Sequence, residues 1–236
     1  MKKKGFGIIG GFLSVVVLIV ALLAVSCGNS VKDFTFKIEE DEAYITGYKG
    51  NSLNITIPSK LNGKKVTRIS GEAFQDKGLS GVTIPNSVTL IGDSAFEDNK
   101  ITSVTIPNSV TSIGSRAFAK NQLTSITIPD SVIALDGFSE NQLTSVTIPD
   151  SVEIINGRAF RGNQLTSVII GNGVTDIVSG AFESNSLTSI TIGAGVNVMG
   201  SAFGYEDSFQ KAYNNNGRKA GTYTRLNAES TEWTVK

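Results

Sequence analysis

Leu123-Thr124-Ser125-Ile126-Thr127-Ile128-Pro129-Asp130-Ser131-Val132 recurs, with small changes, along most of the chain. Pro58, Pro85, Pro107, Pro129 and Pro149, the five prolines of the sequence, all occupy one position of it, and Gly171 and Gly193 take that position in the last two copies. The steps between these markers are 27, 22, 22, 20, 22 and 22 residues. A fixed period in this range is the signature of a solenoid. Counting from the proline, large apolar side chains fall at −6, −3, −1, +3, +6 and, as Phe, at +11; in the third copy these are Ile101, Val104, Ile106, Val110, Ile113 and Phe118. The −3 and −1 residues alternate with polar ones, which is the period of a strand with one buried face. Proline then ends the strand because it has no N–H to give a ladder. The segment after the proline is too short for a full helix, so one helical or 3₁₀ turn is expected around Ala117-Phe118 and its equivalents. A single copy buries too little to offset the entropy of ordering it. The expected fold is therefore a stack of coils, with parallel strands on the concave face and short turns on the convex face.

Leu143-Thr144-Ser145-Val146-Thr147-Ile148-Pro149-Asp150-Ser151-Val152, with Ile113-Gly114, Ala117-Phe118 and Asn121 of the preceding coils, resembles the BspA-like leucine-rich repeat, the type also named after Treponema pallidum. The resemblance covers seven copies, roughly residues 50–204. It implies a leucine-rich-repeat solenoid in an exported bacterial protein, often a surface adhesin.

Lysine plus arginine and aspartate plus glutamate both number 21, so no electrostatic footprint for nucleic acid is present. The chain has no histidine, which removes imidazole as a base or a metal ligand, and a single cysteine, so no internal disulfide forms. Neither a Gly-rich phosphate loop nor an acid pair in an evident cleft is present. No enzyme and no cofactor are expected. Residues 1–27 read as a targeting segment: Lys2-Lys3-Lys4, an apolar run from Ile8 to Val25, then Ala24-Val25-Ser26-Cys27, which resembles a bacterial lipobox. The expected outcome is cleavage before Cys27 and lipidation of its thiol, with residues 28–33 as a tether. The alternative is an uncleaved transmembrane anchor, for which the run is just long enough. The position of the lone cysteine favours the first reading.

Residues 34–49 read as a hairpin cap with an acidic turn, Glu39-Glu40-Asp41-Glu42, that shields the first repeat's edge. The long first copy carries Asn62-Gly63, a hairpin signal. The fourth copy, Pro129 to Phe138, is two residues shorter than its neighbours between proline and Phe, so a dent on the convex side is expected. Residues 205–236 read as a C-terminal cap built from a short helix and two strands. Its Tyr213, Tyr223 and Trp233 cover the last repeat or, alternatively, form an aromatic binding patch.

Four polar rows stack along the coils. Ser103, Ser125, Ser145, Ser167 and Ser189 stand at −4, and Thr105, Thr127, Thr147 and Thr191, interrupted by Ile169, stand at −2. They form a neutral hydroxyl face, either plain strand chemistry or a broad surface for protein or glycan. Asn99, Asn121, Asn141, Asn163 and Asn185, three residues after each Phe, are expected to be buried amides that satisfy backbone groups of the adjacent coil. Many members of the resembled family have Cys there. In the row directly after the proline marker, Asn86, Asn108, Asp130, Asp150 and Asn172, Asp130 and Asp150 stack as like charges and are a weak Ca²⁺ candidate, with too few oxygens by themselves. The expectation is a lipid-anchored envelope protein whose repeat face binds protein or glycan, including host matrix. An envelope scaffold without a host ligand is the alternative.

Overall fold

The structure, a computed structural model, describes residues 30–204 and 208–236. The chain forms a parallel β-solenoid of about seven turns. The segment before each proline and the segment after it contribute to two different walls. After the proline, short strands such as Leu90–Ile91, Ser112–Ile113, Ala134–Leu135, Ile154–Ile155 and Asp176–Ile177 pair in parallel, coil to coil, in one ten-stranded sheet. Each rung is lengthened by backbone bonds at its ends, as from Thr89 N–H to Thr67 O, 2.8 Å, and Gly92 N–H to Ile69 O, 2.8 Å.

Before the proline the wall is broken. Asn54–Thr56 pairs with Gly81–Thr83, and Ser145–Ile148, Ser167–Ile170 and Ser189–Ile192 pair with one another, but residues 103–106 and 125–128 form no ladder. The strands expected there in every copy are thus missing from two of them, and the unbroken sheet lies on the neighbouring wall. Where glycine replaces proline the ladder gains a rung, Gly171 N–H to Ile148 O, 3.0 Å; Pro107 and Pro129 have no N–H to donate. Gly171 is also required sterically, since a Cβ there would meet Pro149 O at 2.6 Å.

The convex segments are turns, not helices. Ala95 N–H bonds Gly92 O, 3.2 Å, and Glu97 N–H bonds Ser94 O, 3.1 Å, and the pattern repeats. In most coils the residues two before and two after Phe are left-handed, as Ser94 (φ 54°) and Asp98 (φ 57°), or Arg116 (φ 58°) and Lys120 (φ 54°). A left-handed residue ends a right-handed helical run, so no helical turn propagates. These turns aim Phe inward. Phe74, Phe96, Phe118, Phe138, Phe160, Phe182 and Phe203 stack face to face with centroids 4.9–5.7 Å apart.

Both ends of this stack are closed by aromatics. Phe34 and Tyr48, from the antiparallel pair Phe34–Glu39 and Glu42–Tyr48, cover Phe74. The acidic turn of that pair is left-handed at Glu40 and Asp41; Asp41 pairs with Lys64, and Glu42 accepts from Thr67, 2.8 Å. Lys60–Leu61 and the strand Lys64–Ile69 form the small hairpin around Asn62-Gly63. At the other end, Phe209 of the helix Ser208–Asn215 meets Phe203 edge-on, and Gly221–Thr224 adds to the sheet antiparallel to Ser189–Ile192. Tyr213 and Tyr223 are fully buried here, and the Tyr213 hydroxyl donates to Gly193 O, 2.7 Å, and accepts from Val196 N–H, 3.0 Å. They are core, not a ligand surface.

Candidate functional site

The open groove of about 910 Å³ lies on the wall before the proline and runs from the fourth coil to the C-terminal cap. Strand register builds it. Ser145, Ser167 and Ser189 stand side by side, as do Thr147, Ile169 and Thr191. The row continues into the cap, where Thr191 Oγ1 lies 2.9 Å from Thr222 Oγ1. Of the sequence-predicted face, Ser125, Thr127, Ser145, Thr147 and Thr191 line the groove. Ser103 and Thr105 are exposed beyond its end, and Ser167 and Ser189 are half-buried beside it. Ile169, which interrupts the Thr row, stands 51% exposed in the middle of the groove. It is the large apolar side chain that the hydroxyl rows leave open to a partner.

Asp130 and Asp150 lie on the groove's edge. Asp150 Oδ1 accepts from Asn172 N–H, 2.7 Å, which ties it to the next coil. Among the described residues no three His, Cys, Asp or Glu side chains cluster closely enough to hold a metal ion. Cys27 lies outside the described residues.

The asparagine row lies away from the groove and does different work. Asn121 Nδ2 donates to Phe96 O, 2.9 Å, in the coil before and to Phe118 O, 3.1 Å, in its own, while its Oδ1 accepts from Ile101 N–H, 3.0 Å. Asn99, Asn141, Asn163 and Asn185 repeat the pattern. Asn99, Asn121, Asn141 and Asn163 are buried. Each amide joins two coils and supplies donors and acceptors to backbone groups that have no sheet partner.

The ion pairs of the coils lie on the turn side. Glu97 is buried and pairs with Arg116 and Lys120. Burial raises its carboxyl, but hydrogen bonds from Ser94 and Arg116 and the two positive charges outweigh this and hold it below its ordinary value. Asp136, in the shortened fourth coil, is opposite. Burial pushes its carboxyl up, against bonds from Gly137 N–H and Ser115, and the charge of Asp93 adds to the rise.

The BspA type leucine rich repeat region matches residues 47–139 and 133–223, in six copies. The chain belongs to this family. No curated protein matches it. Among solved structures, a T. pallidum leucine rich repeat protein is similar at 22% identity and a TM-score of 0.63, over 80% of this chain and 96% of that one. A leucine-rich repeat protein from Eubacterium ventriosum is similar at 22% identity and a TM-score of 0.50, over 74% of this chain and half of that one. At such identity these likenesses concern the BspA-type fold. The geometry fits a binding scaffold of this family: a rigid stack, a hydroxyl-lined groove and one open isoleucine.

Two features of this BspA-type chain were not read from sequence. The left-handed turn positions carry Ser, Arg, Asp and Lys in most coils, so only Gly162 and Gly180, which occupy the same places, signal them. The reach of the groove was also missed, because the cap residues Ala220 and Gly221 that line it belong to no repeat.

Proposed function

We propose that the protein is exported, anchored at the cell envelope through a lipid on Cys27, and binds a protein partner through its groove. Its role on this reading is adhesion to host matrix or host cells, with a glycan partner as the variant of the same surface. The observation that carries it is Ile169, 51% exposed at the centre of a hydroxyl-lined groove of about 910 Å³. An apolar anchor ringed by polar contacts is the usual anatomy of a binding patch, and concave repeat surfaces commonly serve such contacts. Because the groove offers neither aromatic nor arginine anchors, each contact is weak, and adhesion would depend on many copies on one cell.

The test is solid-phase binding of the detergent-solubilised full chain to host matrix proteins. Ile169→Asp should abolish capture at unchanged melting temperature. Capture undiminished by Ile169→Asp, or no capture of the wild type, would remove the adhesive role. Incorporation of labelled palmitate into the wild type and its loss in Cys27→Ala tests the anchor; equal labelling would contradict it. The uniformity of the hydroxyl rows favours a second reading, an envelope scaffold without a host ligand. Protease treatment of intact cells separates the two, since an internal scaffold would be spared.

A further inference from the structure

The fourth coil reaches its Phe two residues sooner than its neighbours, at Phe138 after Pro129, and the turn side is where it falls short. The turns of the third and fifth coils keep their full length, Gly114 to Phe118 and Asn156 to Phe160, and stand out on either side. Between them is a recess of about 300 Å³. Two coil-to-coil bonds tie its floor to the coils on either side: Phe118 N–H to Gly137 O, 2.8 Å, and Phe138 N–H to Ala159 O, 2.9 Å. The floor cannot grow a side chain in place. Gly137 has φ 101°, and a Cβ there would meet Gly114 O at 2.9 Å.

The lining is polar and mixed in sign: Arg116, Arg158 and Arg161 with Asp136, Glu140 and Ser139. Two of the guanidiniums are held from behind, Arg116 by Glu97 and Arg161 by Glu183, the latter at 2.9 Å. They are oriented, and their charge is largely answered. Arg158 and Glu140 form no ion pair among the described residues. Asp136 Oδ1 accepts from Gly137 N–H, 2.6 Å, and the carboxylate lies half-buried in the floor. A simple anion entering here meets Asp136 and Glu140; a simple cation meets Arg158, which no carboxylate answers, beside two guanidiniums that are already paired. A neutral molecule rich in hydroxyls meets neither penalty, because each hydroxyl donates to a carboxylate while accepting from a guanidinium or a serine.

We propose that this recess is a binding site for a small neutral saccharide, on the side of the solenoid away from the groove. Its size is at the low end of ligand pockets, roughly 300–1,000 Å³, which suits a mono- or disaccharide rather than a long chain. No aromatic ring lines it, so there is no face for a sugar to stack on. The affinity is therefore weak, in the millimolar range.

The test is saturation-transfer NMR on the full chain in detergent with glucose, galactose, N-acetylglucosamine and maltose, and a parallel titration with sodium sulfate. The expected result is transfer to at least one saccharide. It should fall at least tenfold when Asp136-Gly137 is replaced by the turn of the preceding coil, Gly114-Ser115-Arg116-Ala117, which fills the recess. Since that variant risks misfolding, Arg158→Met and Glu140→Gln are measured beside it; both residues are exposed. Each should weaken transfer severalfold at unchanged melting temperature. Ile169→Asp should leave it intact, so the recess and the groove stand or fall separately. No transfer to any of the four sugars, transfer unchanged in Arg158→Met and Glu140→Gln, or a response to sulfate alone would overturn the assignment.

Discussion

The hydroxyl rows and the asparagine row are equally regular in sequence, yet they occupy opposite situations. Thr127 and Thr147 are exposed in the groove, and their side chains bond no neighbouring coil. Asn121 is buried and bonds the backbone of two coils. Repetition alone therefore does not tell a surface from a scaffold. What separates them is whether the repeated polar atom replaces water for a backbone group that has nowhere else to turn. The asparagines do this, so the stack depends on them; the threonines do not, so they are free to change with a partner.

Single substitutions should separate the two kinds of row. The largest effect should come from Phe118→Ala, which opens the aromatic stack between rings at 5.1 and 5.6 Å. A loss of about 3–5 kcal/mol is expected in a denaturant titration. Asn121→Ala should come next at about 2–4 kcal/mol, because it strands Ile101 N–H and the carbonyls of Phe96 and Phe118, each costing roughly 1–3 kcal/mol if left unpaired. Thermal melts across acid pH should then distinguish two carboxyls of the turn side. The Glu97 carboxyl is depressed in the folded chain, so its contribution is present above its unfolded value near 4.3 and is lost as pH falls through its lower folded value. Glu97→Gln should therefore flatten the acid limb of the melting profile. Asp136 is raised, so acidification relieves a penalty, and Asp136→Asn should remove a small gain seen on lowering pH toward the carboxylate range. Thr127→Ala should be the mildest, within about 0.5 kcal/mol. A loss from Thr127→Ala that matched Asn121→Ala would erase the distinction between the rows.

Much of this was legible in the chain. The proline spacing gave the coil, the apolar template gave the inward side chains, and the Asn row, always three residues after Phe, pointed to an amide between coils. The continuous sheet after the proline was not legible. Its rungs are only two residues long, as Leu90–Ile91 and Ser112–Ile113, and so short a segment shows no alternation to read. Among the candidate site residues, Ile169 was visible as an interruption of the Thr row, but its weight depends on exposure, which sequence does not give. The recess came from a counted deletion, whereas its lining did not: Arg158 and Glu140 look in sequence like any solvated turn charges, and only the fold brings them to one rim.

Residue-resolved amide hydrogen exchange reads the hold of the asparagines on the coils one bond at a time. Ile101, Leu123 and Leu143 give their N–H groups to Asn121, Asn141 and Asn163. Their exchange should require unfolding of the whole stack, and Asn121→Ala should speed Ile101 far more than any other amide of its coil. Thr105 and Thr127, in the segments without a ladder, should exchange many-fold faster through local opening. Equal protection of the two sets, or rapid exchange at Ile101, Leu123 and Leu143, would mean that the asparagines do not hold the coils together.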